Sequence, residues 1–276
     1  MTADAVNGAG AGAWGSALSA QEFAAVTGAG FDPVGQVLGT AVVHIGYTGN
    51  LCSSAWSAGR SATTVSSVAR APFSDLVRTM YAARRQALGR AVNACLALGG
   101  DGAVGLRLRV RGFPAGGTEF TFLGTALRAR SRFRPARPFT AHLDGQEFAK
   151  LVCNGWVPTG LAFGISVTSR HDDYESRVQS GRFAGSREVR GFTDLVTYAR
   201  RRARTQLAAD AASTGGDGLV LDAADLRVHE RPCGNGDTDH VAEAVLAGTC
   251  VARFSRTARH TGPVRPLTIM RLEREN

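Results

Sequence analysis

The sequence predicts an α+β fold in which two tandem β-α-β-β domains each pack one long helix on an antiparallel sheet. Two repeats lead to this prediction. The tetrapeptide Gly-Gly-Asp-Gly occurs at 99–102 and 215–218, each time after an Ala-rich, Arg-containing stretch. The motif Gln-Glu-Phe-Ala begins at Gln21 and again at Gln146. Internal repeats of this kind indicate duplicated structural units. The same spacing that separates Gln21 from Gln146 also pairs Phe31 with Trp156, Pro33 with Pro158, Gly35 with Gly160 and Gly39 with Gly164.

The first copy is predicted over residues 19–130, after a Gly- and Ala-rich flexible tail at 1–18. Apolar residues alternate along 35–46, as expected of a strand with one buried face. A helix begins at Ser74, which can cap it, and apolar residues recur along it every three or four positions. Gly99 suits the left-handed conformation that commonly ends a helix. The last two strands are predicted around 103–110 and 118–130.

The second copy is predicted over residues 142–254 and repeats the same order of elements. A linker rich in Arg and Pro at 131–141 precedes it, and a basic tail at 255–276 follows it. Its helix begins near Thr193 and ends at Gly215, where glycine again suits a C-terminal cap. Its last two strands are predicted at 218–228 and 241–253.

The two tetrapeptides are assigned to structural turns that join each helix to the next strand. An anion-binding cradle is the alternative, but glycine after a helix is more simply a cap. The residues of these turns are Gly99, Gly100, Asp101, Gly102, Gly215, Gly216, Asp217 and Gly218.

Composition narrows the class of protein. The chain has 276 residues, of which 44% are hydrophobic and 20% charged, so it predicts packed globular domains. Five cysteines without a Cys-x-x-Cys motif predict a reducing cytoplasm rather than a disulfide framework. The first 21 residues lack the pattern of a secretory signal, and no apolar run is long enough to span a membrane, so no membrane partner is expected.

Three stretches resemble the YbjQ-like family, a small bacterial domain labelled as heavy-metal-binding. They are GQVLGTAVVHIGY from Gly35, ALGGDGAVGL from Ala97 and FLGTALRAR from Phe122. The resemblance implies a fold related to dodecin subunits and assembly into a homo-oligomeric ring, typically a pentamer. It carries no catalytic residues, so no enzyme activity is expected. Open sheet edges agree with self-association, because packing copies around an axis covers them.

The loop at 229–240 is the richest cluster of possible metal ligands. Imidazole, thiolate and carboxylate groups there could bind zinc or another divalent metal. The alternative is a polar hairpin turn, since the corresponding loop of the first copy contains no such ligand. The candidate ligands are His229, Cys233, Asp237, Asp239 and His240.

The net charge of +9 and four arginines on the second long helix indicate nucleic acid or another anion as a candidate ligand. The alternative is a solvated helix face, because these positions spread around most of the exposed surface. The residues are Arg200, Arg201, Arg202 and Arg204.

Together these observations predict a cytoplasmic, non-enzymatic tandem YbjQ-like protein that forms a homo-oligomeric ring with a structural or ligand-binding role. Two alternatives stay open at the level of sequence. One is a metal-binding protein that uses the 229–240 loop, and the other is a basic protein associated with nucleic acid.

Overall fold

The computed structural model describes residues 15–45, 63–65, 73–132, 134–171, 174–232 and 238–254. Over these ranges the chain forms five α-helices and eight strands arranged in two four-stranded sheets. The predicted α+β class is confirmed. We call the residues up to 130 the first half and the residues from 142 the second half. The predicted tail at 255–276 lies outside the described residues.

The first sheet has the strand order β1-β4-β3-β5, with one long helix packed on it. Strand β4 is antiparallel to both β1 and β3, whereas the short β5 runs parallel to β3, so this sheet is mixed. A single 3-10 turn at 114–116 connects β3 to β4. The elements are α1 (Ala20–Gly28), β1 (Phe31–His44), α2 (Ser74–Ala97), β3 (Gly102–Phe113), β4 (Gly117–Ala129) and β5 (Phe139–Thr140).

The second sheet has the order β2-β6-β8-β7 and is antiparallel throughout. Its edge strand β2 (Thr63–Val65) comes from the first half of the chain, whereas β5 of the first sheet comes from the linker that precedes the second half. The remaining elements are α3 (Gly145–Cys153), β6 (Trp156–His171), α4 (Tyr174–Ser180), α5 (Arg190–Ala212), β7 (Gly218–Pro232) and β8 (Thr238–Arg253).

Both long helices rest directly on a glycine of the strand beneath them. A Cβ atom on Gly39 would lie 2.1 Å from the carbonyl oxygen of Ala87, and one on Gly164 would lie 2.1 Å from that of Ala203. No side chain fits at such a distance, so glycine at these positions allows α2 to pack on β1 and α5 on β6. The strands also share a β-bulge, after Pro33 in β1 and after Pro158 in β6.

The structure adds detail that the sequence did not predict. Each Gln-Glu-Phe-Ala motif lies in a short helix, α1 or α3, that begins with a capping box. Ser74 is the first residue of α2 but makes no side-chain cap, and α5 begins at Arg190 rather than near Thr193. The predicted linker at 131–141 supplies strand β5.

No helix of the described residues is long and apolar enough to cross a membrane.

Candidate functional site

The candidate site is the edge of β6, which bonds side chains from the first half (Tyr81), from the linker (Thr140) and from α5 of the second half itself (Asp210). Three alternate backbone amides of β6 bond side chains instead of a neighbouring strand. Unpaired amides on a strand edge invite pairing with another chain, and these contacts satisfy them. The hydrogen bonds run from Leu161 N to Thr140 Oγ1 (3.0 Å), from Phe163 N to Asp210 Oδ2 (2.7 Å) and from Ile165 N to the Tyr81 hydroxyl (3.1 Å).

Helix α2 supplies much of this contact although it belongs to the first half. The Tyr81 hydroxyl also donates to the Phe163 carbonyl at 3.0 Å, so one side chain bridges the strand edge. Arg85 lies over the Phe163 ring, with its guanidinium carbon 5.5 Å from the ring centre, and forms an ion pair with Asp210. Desolvation raises the pKa of the Tyr81 phenol, which keeps the hydroxyl protonated as a donor.

The apolar part of the contact joins the cores of the two halves. Leu161 and Phe163 belong to the same buried cluster as Phe120 and Phe122 of the first half. The rings of Phe122 and Phe163 lie 6.1 Å apart. Burial of a large apolar side chain contributes about 1.5–3 kcal/mol, so the halves form one folded unit.

A five-residue segment at 139–143, which we call the second lead-in segment, runs along the start of β3. Ala141 N donates to the carbonyl of Ala103 at 2.9 Å, and Leu106 N donates back to the carbonyl of Ala141 at 3.0 Å. Gly105 N donates to Leu143 at 2.8 Å. The chain therefore enters its second half along an edge strand of its first half.

The two Gly-Gly-Asp-Gly turns connect the long helices to β3 and β7, and they bond β4 and β8 in the same way. Asp101 N donates to the Leu127 carbonyl at 2.7 Å, and the Asp101 carboxylate accepts from Ala129 N at 2.8 Å. Asp217 makes the same pair of bonds in the second half, with Val251 at 2.8 Å and Arg253 at 2.9 Å. Gly99 and Gly215 have φ values of 70° and 72°, a backbone conformation that favours glycine.

Gly100 and Gly216 also have close neighbours. A Cβ on Gly100 would lie 2.7 Å from the Cys95 sulfur, and one on Gly216 would lie 3.1 Å from the Cys250 Cβ. Both thiols are buried, and burial raises the pKa of Cys95 to about 11. The next glycines, Gly102 and Gly218, begin β3 and β7.

The structure separates the candidate metal ligands that it describes. His229 lies opposite Val241 on the adjacent strand, whereas His240 lies opposite Glu230. Because neighbouring residues of a strand point to opposite faces, the two imidazoles lie on opposite faces of the sheet.

The candidate ligand Asp239 bonds a different residue, His171 of β6, at 2.8 Å. Cys233 and Asp237 lie outside the described residues, and within the described ranges no three His, Cys, Asp or Glu side chains cluster for a metal.

The arginines of α5 are not equivalent to one another. Arg200, Arg201 and Arg204 are exposed, whereas Arg202 is half-buried. Arg201 and Arg202 lie over the Tyr198 ring, at 5.6 and 5.8 Å from its centre.

Sequence reasoning missed Tyr81, Asp210 and Thr140, the three residues that close the edge of β6. One signal was present for the first two. Each is a polar side chain on a long helix whose counterpart is different: Tyr81 corresponds to Thr197, and Asp210 corresponds to Ala94. A difference between otherwise repeated helices marks where the halves have different neighbours.

The fold and this contact define a class: an α+β protein of two sheets in which the first half covers an edge of the second. No family model and no solved structure matches the chain. The chain is 30% identical over 246 residues to the encapsulin nanocompartment protein Rv1762c of Mycobacterium tuberculosis (strain ATCC 25618 / H37Rv). The alignment covers 86% of this chain and 85% of that relative. The chain belongs to the family of this encapsulin nanocompartment protein.

This relationship corrects the family and the function predicted from sequence. The YbjQ-like assignment is wrong, because the relative that covers most of the chain is an encapsulin nanocompartment protein. The predicted tandem YbjQ-like ring function and its metal-binding and nucleic-acid alternatives are wrong for the same reason. The motifs misled because their glycines serve packing, as Gly39 does under α2, and close helix-on-strand packing is common to unrelated folds.

Proposed function

We propose that this chain is a non-enzymatic structural protein that assembles with copies of itself as part of an encapsulin nanocompartment. The observation that carries the proposal is the 30% identity to an encapsulin nanocompartment protein over 86% of the chain. A relationship of that length includes residues of both halves, so it concerns the molecule as a whole rather than one sheet.

We also propose that the chain is a tandem duplication, with copies at 19–130 and 142–254. The matching aspartate joints of Asp101 and Asp217 support this proposal. The two strand glycines beneath the long helices, Gly39 and Gly164, support it as well. A chain that carries the same unit twice presents related surfaces at both ends, which suits self-assembly.

The proposal includes self-assembly but no number of chains. A pentameric ring was implied by a resemblance that the encapsulin relative overturns, so we propose self-assembly without a fixed copy number. The cytoplasm stays our proposed compartment, and the free thiols of Cys95, Cys153 and Cys250 support it.

The proposal is tested with the full chain expressed alone and together with an encapsulin from the same genome. Light scattering on a sizing column gives the mass, and electron microscopy shows the particles. We expect a mass many times 28.9 kDa, or incorporation of the chain into the encapsulin particles. A chain that stays at 28.9 kDa alone and is excluded from encapsulin particles would overturn the proposal.

A further inference from the structure

We infer that copies of this chain join head to tail, with the second half of one copy bound to the first half of the next through the same contact that joins the halves inside each chain. The inference rests on the proposed self-assembly and names the surfaces that carry it. Its basis is that the internal contact is one-sided: each half has both surfaces of the contact, but only one of the two is covered.

The start of β7 is the uncovered counterpart of the start of β3. The first three residues of β3 and Leu106 are buried, and Gly105 between them is half-buried. The second lead-in segment contributes to this burial, because Ala141 and Leu143 pack in one cluster with Val104. The corresponding residues of β7, at 218–222, are exposed or half-buried. Val220 packs against the cluster of Val104 and Leu143, and Asp222 forms an ion pair with Arg107, but no strand of the described residues pairs with this edge of β7. The side chain of Leu221 is 52% exposed. An edge strand with exposed apolar side chains is a template for another chain.

The segment that would occupy this edge is present at the start of the first half. Residues 15–18, the first lead-in segment, correspond to 140–143 of the second. Ala17 N donates to Thr125 Oγ1 at 3.1 Å, just as His142 N donates to Thr249 Oγ1 at 3.0 Å. The two segments therefore lie in the same way on their own halves. They differ in burial, because 140–143 is buried against β3 whereas 15–18 is exposed or half-buried.

The outer face of β1 repeats this difference on a larger scale. Gly39 and Gly164 align β1 with β6, so Leu38 corresponds to Phe163 and Val42 to Val167. Phe163 and Val167 are 1% and 0% exposed because the first half covers them. Leu38 and Val42 are 56% and 46% exposed. An apolar pair on a strand face, at the positions buried in the other half, fits the corresponding helix of a second copy.

The covering helix of the next contact would be α5. Both long helices end just before a Gly-Gly-Asp-Gly turn, which aligns Arg84 with Arg200 and Arg85 with Arg201. Arg84 is only 3% exposed. Arg200 and Arg201 are exposed. Helix α5 thus has an uncovered surface at the positions where α2 meets β6.

Charge is complementary across the inferred contact. Burial lowers the pKa of Arg84 to about 10, while the carboxylate of Glu243 in the second half acts in the opposite direction. The residue that corresponds to Glu243 is Glu119, since both pair across their sheets with an arginine, Arg227 and Arg111. In the head-to-tail contact, Arg200 of one copy would therefore lie within electrostatic range of Glu119 of the next. Such a contact between different surfaces closes into a ring or continues as a filament, depending on its rotation.

The experiment measures the mass of the full chain by light scattering with three sets of variants. Leu38→Asp with Val42→Asp places two charges in the inferred contact and is expected to reduce the assembly to 28.9 kDa. Val178→Asp is the matched control, because Val178 is 49% exposed on α4, which lies outside this contact, and it is expected to leave the mass unchanged. Circular dichroism confirms that each variant is folded.

The third set tests the pairing itself. Arg200→Glu and Glu119→Arg are each expected to weaken assembly at least tenfold in the concentration of half-dissociation, and the double variant is expected to restore it. A wild-type chain that assembles while the Leu38 and Val42 variant remains fully assembled would overturn the head-to-tail contact and leave the proposed self-assembly standing. A wild-type chain that is monomeric alone and absent from encapsulin particles would overturn both.

Discussion

Strands β1 and β6 each support the long helix of their own half on a glycine, Gly39 or Gly164, and have different surroundings. Phe163 of β6 is buried between the halves, whereas its counterpart in β1, Leu38, is 56% exposed. The amides along the free edge of β6 bond Thr140, Asp210 and Tyr81. A strand that packs under its helix in the same way can thus be buried on its other face in one half and exposed there in the other. Whether the outer face of the strand is buried depends on the segment that packs on it and not on the strand itself.

The largest expected effect on stability is that of Phe163→Ala, which removes the side chain buried on β6. Removal of a buried phenylalanine that links two cores should lower the free energy of unfolding by about 3–5 kcal/mol. The control is Leu38→Ala, which should change it by at most about 0.5 kcal/mol, as exposed positions do. Urea unfolding of dilute, dissociated chains measures both. Equal losses at the two positions would mean that β1 is covered within one chain as β6 is.

A second prediction tests what the halves share. Gly39→Ala and Gly164→Ala each place a methyl group 2.1 Å from a helix carbonyl, so each should cost about 1–3 kcal/mol by overpacking. Gly89→Ala is the control, because the Cβ at that helical position meets nothing within 4 Å. It should stabilise the chain by about 0.5–1 kcal/mol, since alanine favours a helix over glycine. Thermal unfolding distinguishes the three variants, and a large loss at only one strand glycine would contradict equivalent packing in the two halves.

A third prediction concerns the polar closure of β6. Tyr81→Phe removes the hydroxyl that bonds both Phe163 and Ile165, and it leaves a buried backbone donor without its partner. The expected cost is about 1–3 kcal/mol. The counterpart residue on α5 is the exposed Thr197, and Thr197→Val should change the free energy of unfolding by at most about 0.5 kcal/mol. Denaturant titration of the two variants checks this difference, and a neutral Tyr81→Phe would mean that the edge is closed by packing alone.

The sequence predicted the elements that depend on local rules and missed those that depend on the neighbour. The glycine pairs and the Gly-Gly-Asp-Gly turns located both helices and the strands after them, because each glycine meets a local steric demand. Tyr81 and Asp210 could not be assigned a role from sequence, since their partner strand is far away in the chain. The same limit applies to family: short glycine motifs describe packing, whereas the relationship over 246 residues identifies the family.

The last and smallest effect concerns a residue for which the two lead-in segments differ. His142 is buried, and its ring Nδ1 lies 2.7 Å from Thr249 Oγ1, whereas the first half has Ala17 at this position. Burial lowers the pKa of His142, while Asp222 and Glu147 act to raise it. The unfolded chain therefore binds a proton more readily than the folded chain. The contribution of the neutral imidazole to the free energy of unfolding is fully present above the unfolded pKa of about 6.5. It is lost as the pH falls toward the lower pKa of the folded chain.

We accordingly expect the free energy of unfolding of the wild-type chain to decrease from pH 7 to pH 5. His142→Ala, which copies the first half, should flatten this decrease by up to about 1.4 kcal/mol per pH unit, the limit for one proton. His44→Ala is the control, because it removes an imidazole from an exposed position. Urea unfolding at several pH values measures the slopes. If His142→Ala keeps the wild-type slope, the folded chain binds a proton at His142 as readily as the unfolded chain does. Burial of the imidazole would then not contribute to the pH dependence of stability.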